Sequence, residues 1–189
     1  TDRNLKVYRY EDVVFSKKGL HYGNIPKALI KFHKAGKSVV TPLEEHLLEA
    51  ANYSKDSAGN ARVIFSVSPE FKEVIKRFCE SVIGKHEAKT RTKFHVGFSV
   101  QRPSTDSVAV DLENRPFRDE DDRILFRPAG HGALLENLND IVAEVVFIKN
   151  IDNVQFDPFK SETFVYKKLF GGYLLEIQNK IFSFLEELE

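Results

Sequence analysis

Short apolar runs alternate with breaks marked by glycine, proline and charge, and the period of the apolar positions changes along the chain. Thr41-Pro42-Leu43-Glu44 supplies a hydroxyl cap, proline at the first helical position and glutamate three residues after the cap. A helix is predicted from there to about Tyr53, with Leu43, His46, Leu47 and Ala50 or Ala51 inward. A strand follows over 62–67. Ser68-Pro69-Glu70 then opens a second helix to about Ile83, with Phe71, Val74, Ile75 and Phe78 at helical spacing. Over 94–101 the period drops to two (Phe94, Val96, Phe98, Val100), the signature of a strand with one buried face. Another strand is expected over 107–112, and 114–123 is a polar turn.

The last third begins with the glycine loop Pro128-Ala129-Gly130-His131-Gly132, whose two glycines permit a positive φ and a close approach to a ligand. Two helical turns over 133–139 would place Leu134, Leu135 and Leu138 inward. Residues 145–148 are continuously apolar, as in a parallel strand covered on both faces. Residues 162–189 form one amphipathic helix with Leu169, Tyr173, Leu174, Ile177, Ile181, Leu185 and Leu188 on one face, which covers the sheet or docks a partner. Gly171-Gly172 weakens or bends it. Near the start, 5–15 reads as a strand or an irregular approach, and Pro26-Lys27 leads into an extended apolar run before a turn at Gly36-Lys37. Strands alternating with helices define one α/β domain over 1–189, with a mostly parallel sheet flanked by helices and a long C-terminal amphipathic helix.

Composition narrows the choice of partner. The 189 residues suit a single domain, and Lys plus Arg equal Asp plus Glu at 28 each. Zero net charge argues against nucleic acid, whose phosphates call for a basic excess, and leaves room for a small phosphorylated ligand. No apolar run approaches the ~20 residues that span a bilayer, so no membrane partner is expected. The single cysteine, Cys79, reads as a buried apolar thiol, and the lack of a disulfide framework fits a reducing, cytoplasmic setting. A chain that starts at Thr1 and contains no methionine reads as an excerpt of a longer polypeptide.

The candidate chemistry lies in three places. Lys27, after proline at a loop, could neutralise phosphate oxygens, or simply be solvated. Gly130, His131 and Gly132 form a plausible ligand-facing turn. Asn150, Asp152 and Asn153 follow the apolar run of 145–148, where open α/β sheets bind ligands, and Asp152 is the leading carboxylate. Asp106 and Asp111 are candidates for a second acidic group, Asp119 to Asp122 read as a solvated hairpin tip, and His46 as a packed helix histidine. No zinc-ligand spacing and no nucleophile elbow occur.

Three of these segments resemble sugar-nucleotide pyrophosphorylases of the uridylyltransferase branch. Pro26-Lys27-Ala28-Leu29, Gly36-Lys37 and Thr41-Pro42-Leu43-Glu44-Glu45-His46 are similar to that family's Pro-Lys pair, short hairpin and capped helix. Pro128-Ala129-Gly130-His131-Gly132 is similar to its Pro-x-Gly-His-Gly-Asp loop, with Ala133 where the family has aspartate. Asn150-Ile151-Asp152-Asn153 is similar to its Asn-x-Asp-Asn, and the three together span about 25–154. The resemblance implies a Rossmann-like nucleotidyltransferase (GT-A-like) fold and transfer of a nucleotidyl group from a nucleoside triphosphate to a sugar-1-phosphate. In that chemistry Lys27 would draw charge from the phosphates and Asp152 would hold Mg²⁺. Gly130, His131 and Gly132, with Asn150 and Asn153, would contact substrate. Over the whole chain the same motifs resemble a bacterial family classed only as a domain of unknown function (family 4301). That family's Pro-Ala-Ser-Gly-Ala-Ala loop, the counterpart of the phosphate-cradling signature, is not among these residues, so the fragment alone is expected to be inactive. The rival expectation is a non-catalytic nucleotide- or phosphosugar-binding or interaction module on the same fold.

Overall fold

A computed structural model describes residues 9–155 and 157–188 of the chain. Its best-packed part is the unit that the sequence marks most strongly. The hairpin of β1 (His33–Ala35) and β2 (Ser38–Val40) turns at Gly36, whose φ of 61° is the left-handed conformation that glycine adopts without strain. It delivers the chain to α2 (Pro42–Tyr53). There the Thr41 backbone N–H donates to Glu44 Oε2 at 2.9 Å and the Glu44 N–H donates to Thr41 Oγ1, completing a reciprocal capping box.

β3 (Asn60–Val67), α3 (Lys72–Thr90) and β4 (Lys93–Val100) then form a β-α-β unit whose strands pair in parallel from Asn60↔Lys93 to Val67↔Val100. Helix α3 runs seven residues beyond the predicted Ile83 and closes at Arg91 in the left-handed region, whose N–H returns to the Glu87 carbonyl. Leu43, Leu47, Ala50, Ala51, Ala61, Phe65, Ile75, Cys79 and Phe94 make one core between α2, α3 and the strand pair, with Ala28 and the half-buried Ile151 joining it. Phe65 and Phe98 stack across the pair with ring centres 6.2 Å apart. Burial pushes the Cys79 thiol up to about 11, as expected of a packed, inert cysteine.

Elsewhere the structure departs from expectation. Residues 10–15, read as strand or irregular, form the short helix α1 (Tyr10–Phe15), while 5–8 lie outside the described residues. Lys27–Leu29 is a single 3₁₀ turn instead of an extended run. Residues 107–127 fold as a narrow antiparallel ladder in which β5 (Ser107–Val108) pairs with β6 (Phe126–Arg127). Bridges join Val110 to Pro116 and Arg118 to Ile124. Asp119 to Asp122 form the exposed tip of that ladder, as predicted. Residues 145–148 are not a ladder-bonded strand: they carry no regular secondary structure, and Val146 and Ile148 are exposed. The described strands therefore form three two-stranded sheets, one parallel and two antiparallel, in a mixed α/β chain.

After the short helix α4 (Leu135–Asn139) comes α5 (Lys160–Glu186). In α4 the inward residue is Asn137, which donates to Ser99 Oγ and to the Val100 carbonyl at 2.9 Å, whereas Leu135 faces solvent. Helix α5 packs on α2 through its first turns and passes Gly171 unbroken, but Leu169, Tyr173, Ile177, Ile181, Leu185 and Leu188 are all exposed. Within the described residues its apolar face covers no sheet. No helix of the described residues is long and apolar enough to cross a membrane.

Candidate functional site

Lys27 and Asp152 stand 125 positions apart in sequence and meet in the structure. Lys27 Nζ donates to Asp152 Oδ2 at 2.7 Å, with both side chains open to solvent. Each arrives by a different route. Lys27 begins the 3₁₀ turn whose next residue, Ala28, is anchored in the core. Asp152 lies in the turn closed by the Asn153 N–H bonding to the Asn150 carbonyl, beside Ile151, which packs on that core. The hydrogen bond from Lys27 holds the Asp152 carboxyl below the usual carboxylate range.

Beneath this pair lies a set of buried charges that the sequence pattern does not single out. Helix α2 carries Glu44, Glu45 and Glu49, all buried, and each has a cationic or titratable partner from another part of the chain. Glu44 faces His86 of α3, with 3.3 Å between Oε1 and Nε2. Glu45 pairs with Lys160 at the start of α5 and also lies 3.2 Å from His33 Nδ1. Glu49 receives Lys149 Nζ on both oxygens, at 2.8 and 2.6 Å, and the Tyr53 hydroxyl at 2.9 Å. His46, predicted as a packed helix residue, lies with Nε2 3.1 Å from the Ile151 carbonyl, so its neutral Nε2–H form donates there. Burial lowers its pKa despite the nearby Glu49 carboxylate.

The sequence carries little signal for these residues, because glutamate on a helix ordinarily reads as solvent-facing. Glu45 and Glu49 stand four apart on a helix buried nearly all round, and Lys149 directly follows an apolar run. A charge in such a place is rarely buried unless paired.

The remaining candidates lie apart from the pair. His131 is exposed, and neither Gly130 nor Gly132 adopts the positive φ that glycine permits. That loop enters a 3₁₀ turn (His131–Leu134) with ordinary backbone angles, so its glycines are not required by conformation. Nothing lies within 4 Å of a Cβ built on either, which leaves the loop surface open. The segment is joined to the β3–β4 pair through Asn137 and through Arg102, which bonds Glu136 and Asp140, both at 3.0 Å. Asn150 and Asn153 are exposed on either side of Asp152. Asp111 accepts from the backbone N–H groups of Glu113 and Arg115 at 2.9 Å, which makes it a turn cap of the ladder. A hollow of about 510 Å³ along the first turns of α5, lined by Tyr166, Lys167 and Phe170 among others, includes neither Lys27 nor Asp152. The chemistry of the site is therefore that of an open surface.

No group of three or more His, Cys, Asp or Glu among the described residues is arranged to hold a metal ion. Mg²⁺ prefers one or two carboxylates together with phosphate oxygens and water. Asp152 fits that donor set as its single carboxylate when a phosphate is present, and does not fit a bare ion.

Fold and surface together define a mixed α/β protein with an exposed Lys–Asp pair seated on a buried ion-pair network. The chain belongs to the family described as a domain of unknown function (DUF4301), whose model matches residues 2–189. No curated protein matches it, and no solved structure does.

Proposed function

We propose that this chain carries part of a nucleotide- or sugar-phosphate site of the sugar-nucleotide pyrophosphorylase kind, on a Rossmann-like nucleotidyltransferase architecture. The observation that supports this reading is the meeting of Lys27 and Asp152, which were drawn from two separate motifs. Phosphate oxygens would draw the Lys27 ammonium away from Asp152, and the released carboxylate would become the protein ligand of Mg²⁺ on the same phosphates. Bound there, Mg²⁺ would supply charge neutralisation to the phosphates. Nucleotidyl transfer relies on such positioning and charge neutralisation more than on covalent catalysis. The exposed Gly130-His131-Gly132 loop, Asn150 and Asn153 are the candidates for further substrate contact.

A second reading, a non-catalytic phosphate-binding or interaction module, is favoured by one observation. Lys27 and Asp152 already neutralise each other, so the site is satisfied without metal. Metal dependence separates the two readings. Thermal unfolding of the chain should be followed with pyrophosphate, nucleoside triphosphates and nucleotide sugars, each with and without Mg²⁺. A ligand at 100 times its Kd adds about 2.7 kcal/mol of stability. The transferase reading expects a Mg²⁺-dependent shift that Asp152→Ala abolishes and Lys27→Met reduces. A shift indifferent to Mg²⁺ favours a phosphate-binding module, and no shift with any ligand overturns the transferase reading in favour of an interaction module.

A further inference from the structure

We infer that Glu49 and Lys149 are positioning residues of this site: their buried ion pair, together with the His46 bond to the Ile151 carbonyl, fixes the 149–152 turn on α2 so that Asp152 meets Lys27. The inference rests on reading Lys27 and Asp152 as the site, and it adds what sets their geometry.

The exposed pair cannot hold itself together. A solvent-exposed ion pair gains little, because water screens it and two long side chains lose freedom in forming it. Nor does a backbone ladder hold the segment. Residues 141–155 contain no helix or ladder-bonded strand, only the turn that ends at Asn153. What remains are side-chain anchors, and these concentrate on one stretch of α2. Three residues before Asp152, Lys149 enters the interior with its side chain 9% exposed and meets both oxygens of Glu49, which is fully buried. One residue before Asp152, the Ile151 carbonyl meets His46. Further along, Lys160 meets the buried Glu45. Glu45, His46 and Glu49 all fall within five consecutive residues of the same helix.

The other half of the pair rests on the same element. Ala28 is buried, and the Lys27–Leu29 turn packs against α2 and α3. Helix α2 is thus the common base from which both charged groups are measured. A desolvated ammonium has one low-energy place to go, whereas an apolar side chain in the same volume could slide. This is the setting in which a buried ion pair supplies register more than stability. Phe147 adds a lateral stop, since its ring lies edge-on to Tyr53 with centres 5.0 Å apart.

The decisive measurement is the NMR contact (NOE) between the Lys27 side chain and Asp152 in the ¹³C,¹⁵N-labelled chain, with folding checked from the β3 and β4 amides of each variant. The native chain should show the contact, as the 2.7 Å pair requires. Lys149→Met and Glu49→Gln should lose it while the chain stays folded. Lys149→Arg, which keeps the ion pair, should keep it. If Lys149→Met does not fold, the double variant Glu49→Leu/Lys149→Met fills the site with apolar groups and gives the same readout. A retained contact in any folded variant lacking the ion pair overturns the inference, as does its absence from the native chain. Pyrophosphate with Mg²⁺, titrated in parallel, should bind about tenfold or more weakly to the folded variants, the usual cost of losing an outer support of a metal site. Failure of the native chain to bind pyrophosphate would sink the reading of the site, while the Lys27–Asp152 contact would still decide the positioning.

Discussion

At the scale of single residues, two kinds of charge share helix α2 and its surroundings, and they follow different physics. Lys27 and Asp152 are exposed and replaceable, while Glu44, Glu45 and Glu49 are buried and depend on their partners. The first kind was legible through motif resemblance, because a Pro-Lys pair and an Asn-x-Asp-Asn are local patterns. The second kind was not. An apolar/polar pattern assigns glutamate to solvent, and only a helix enclosed on every side reverses that assignment. His46 gives this buried layer a testable signature. Its pKa is lowered in the folded chain, so between the folded midpoint and the ordinary value of 6.5 the unfolded chain binds more protons. Stability therefore rises with pH across that window and is lost as pH falls through it. His46→Gln keeps a donor for the Ile151 carbonyl but cannot titrate. Urea unfolding at pH 5 and pH 7 should show a smaller loss on acidification for His46→Gln than for the native chain. Equal losses would mean that His46 does not report on the fold.

At the scale of elements, sequence reading succeeded where one rule acted alone and failed where a neighbour decided. The capping box placed the start of α2 at Pro42, and period-two alternation placed β4. Residues 145–148 look like a buried strand because a short apolar run does not say what covers it. Here the cover is partly α5. The Phe147 ring lies against Gly171, where a built Cβ would come within 2.9 Å of Phe147 Cζ, while nothing lies within 4 Å of one at Gly172. The two adjacent glycines, equivalent on paper, thus have opposite roles. Gly172→Ala should stabilise the chain by up to about 1 kcal/mol, the propensity difference in a helix interior. Gly171→Ala should lose that gain, because Phe147 is hemmed in by Tyr53 and by Lys167, whose Nζ lies 5.9 Å from the ring centre. Chemical denaturation of both variants checks this, and equal effects would show that residues 145–148 do not rest on α5.

At the scale of the whole molecule, burial is unevenly spread. The core runs through α2, α3, β3 and β4, whereas the ladder of 107–127 and the apolar face of α5 are largely exposed. Regions with few buried contacts open at lower free energy than the core, so amide exchange should separate them. Amides of β3 and β4 should exchange only through global opening, and those of 107–127 much sooner. Cys79 supplies an independent probe of the same event. It is 2% exposed on α3, and its thiol is pushed up to about 11, so at pH 8 both access and thiolate are lacking. A thiol reagent should therefore label Cys79 only when α3 leaves the sheet. If the core is one cooperative unit, the opening free energy from Cys79 labelling should equal that from the slowest β4 amides. If Cys79 reacts sooner, α3 detaches separately, taking His86 away from Glu44. The buried charges of α2 would then lose a partner before the strands part, and the frame beneath Lys27 and Asp152 would be softer than the strand pair it rests on.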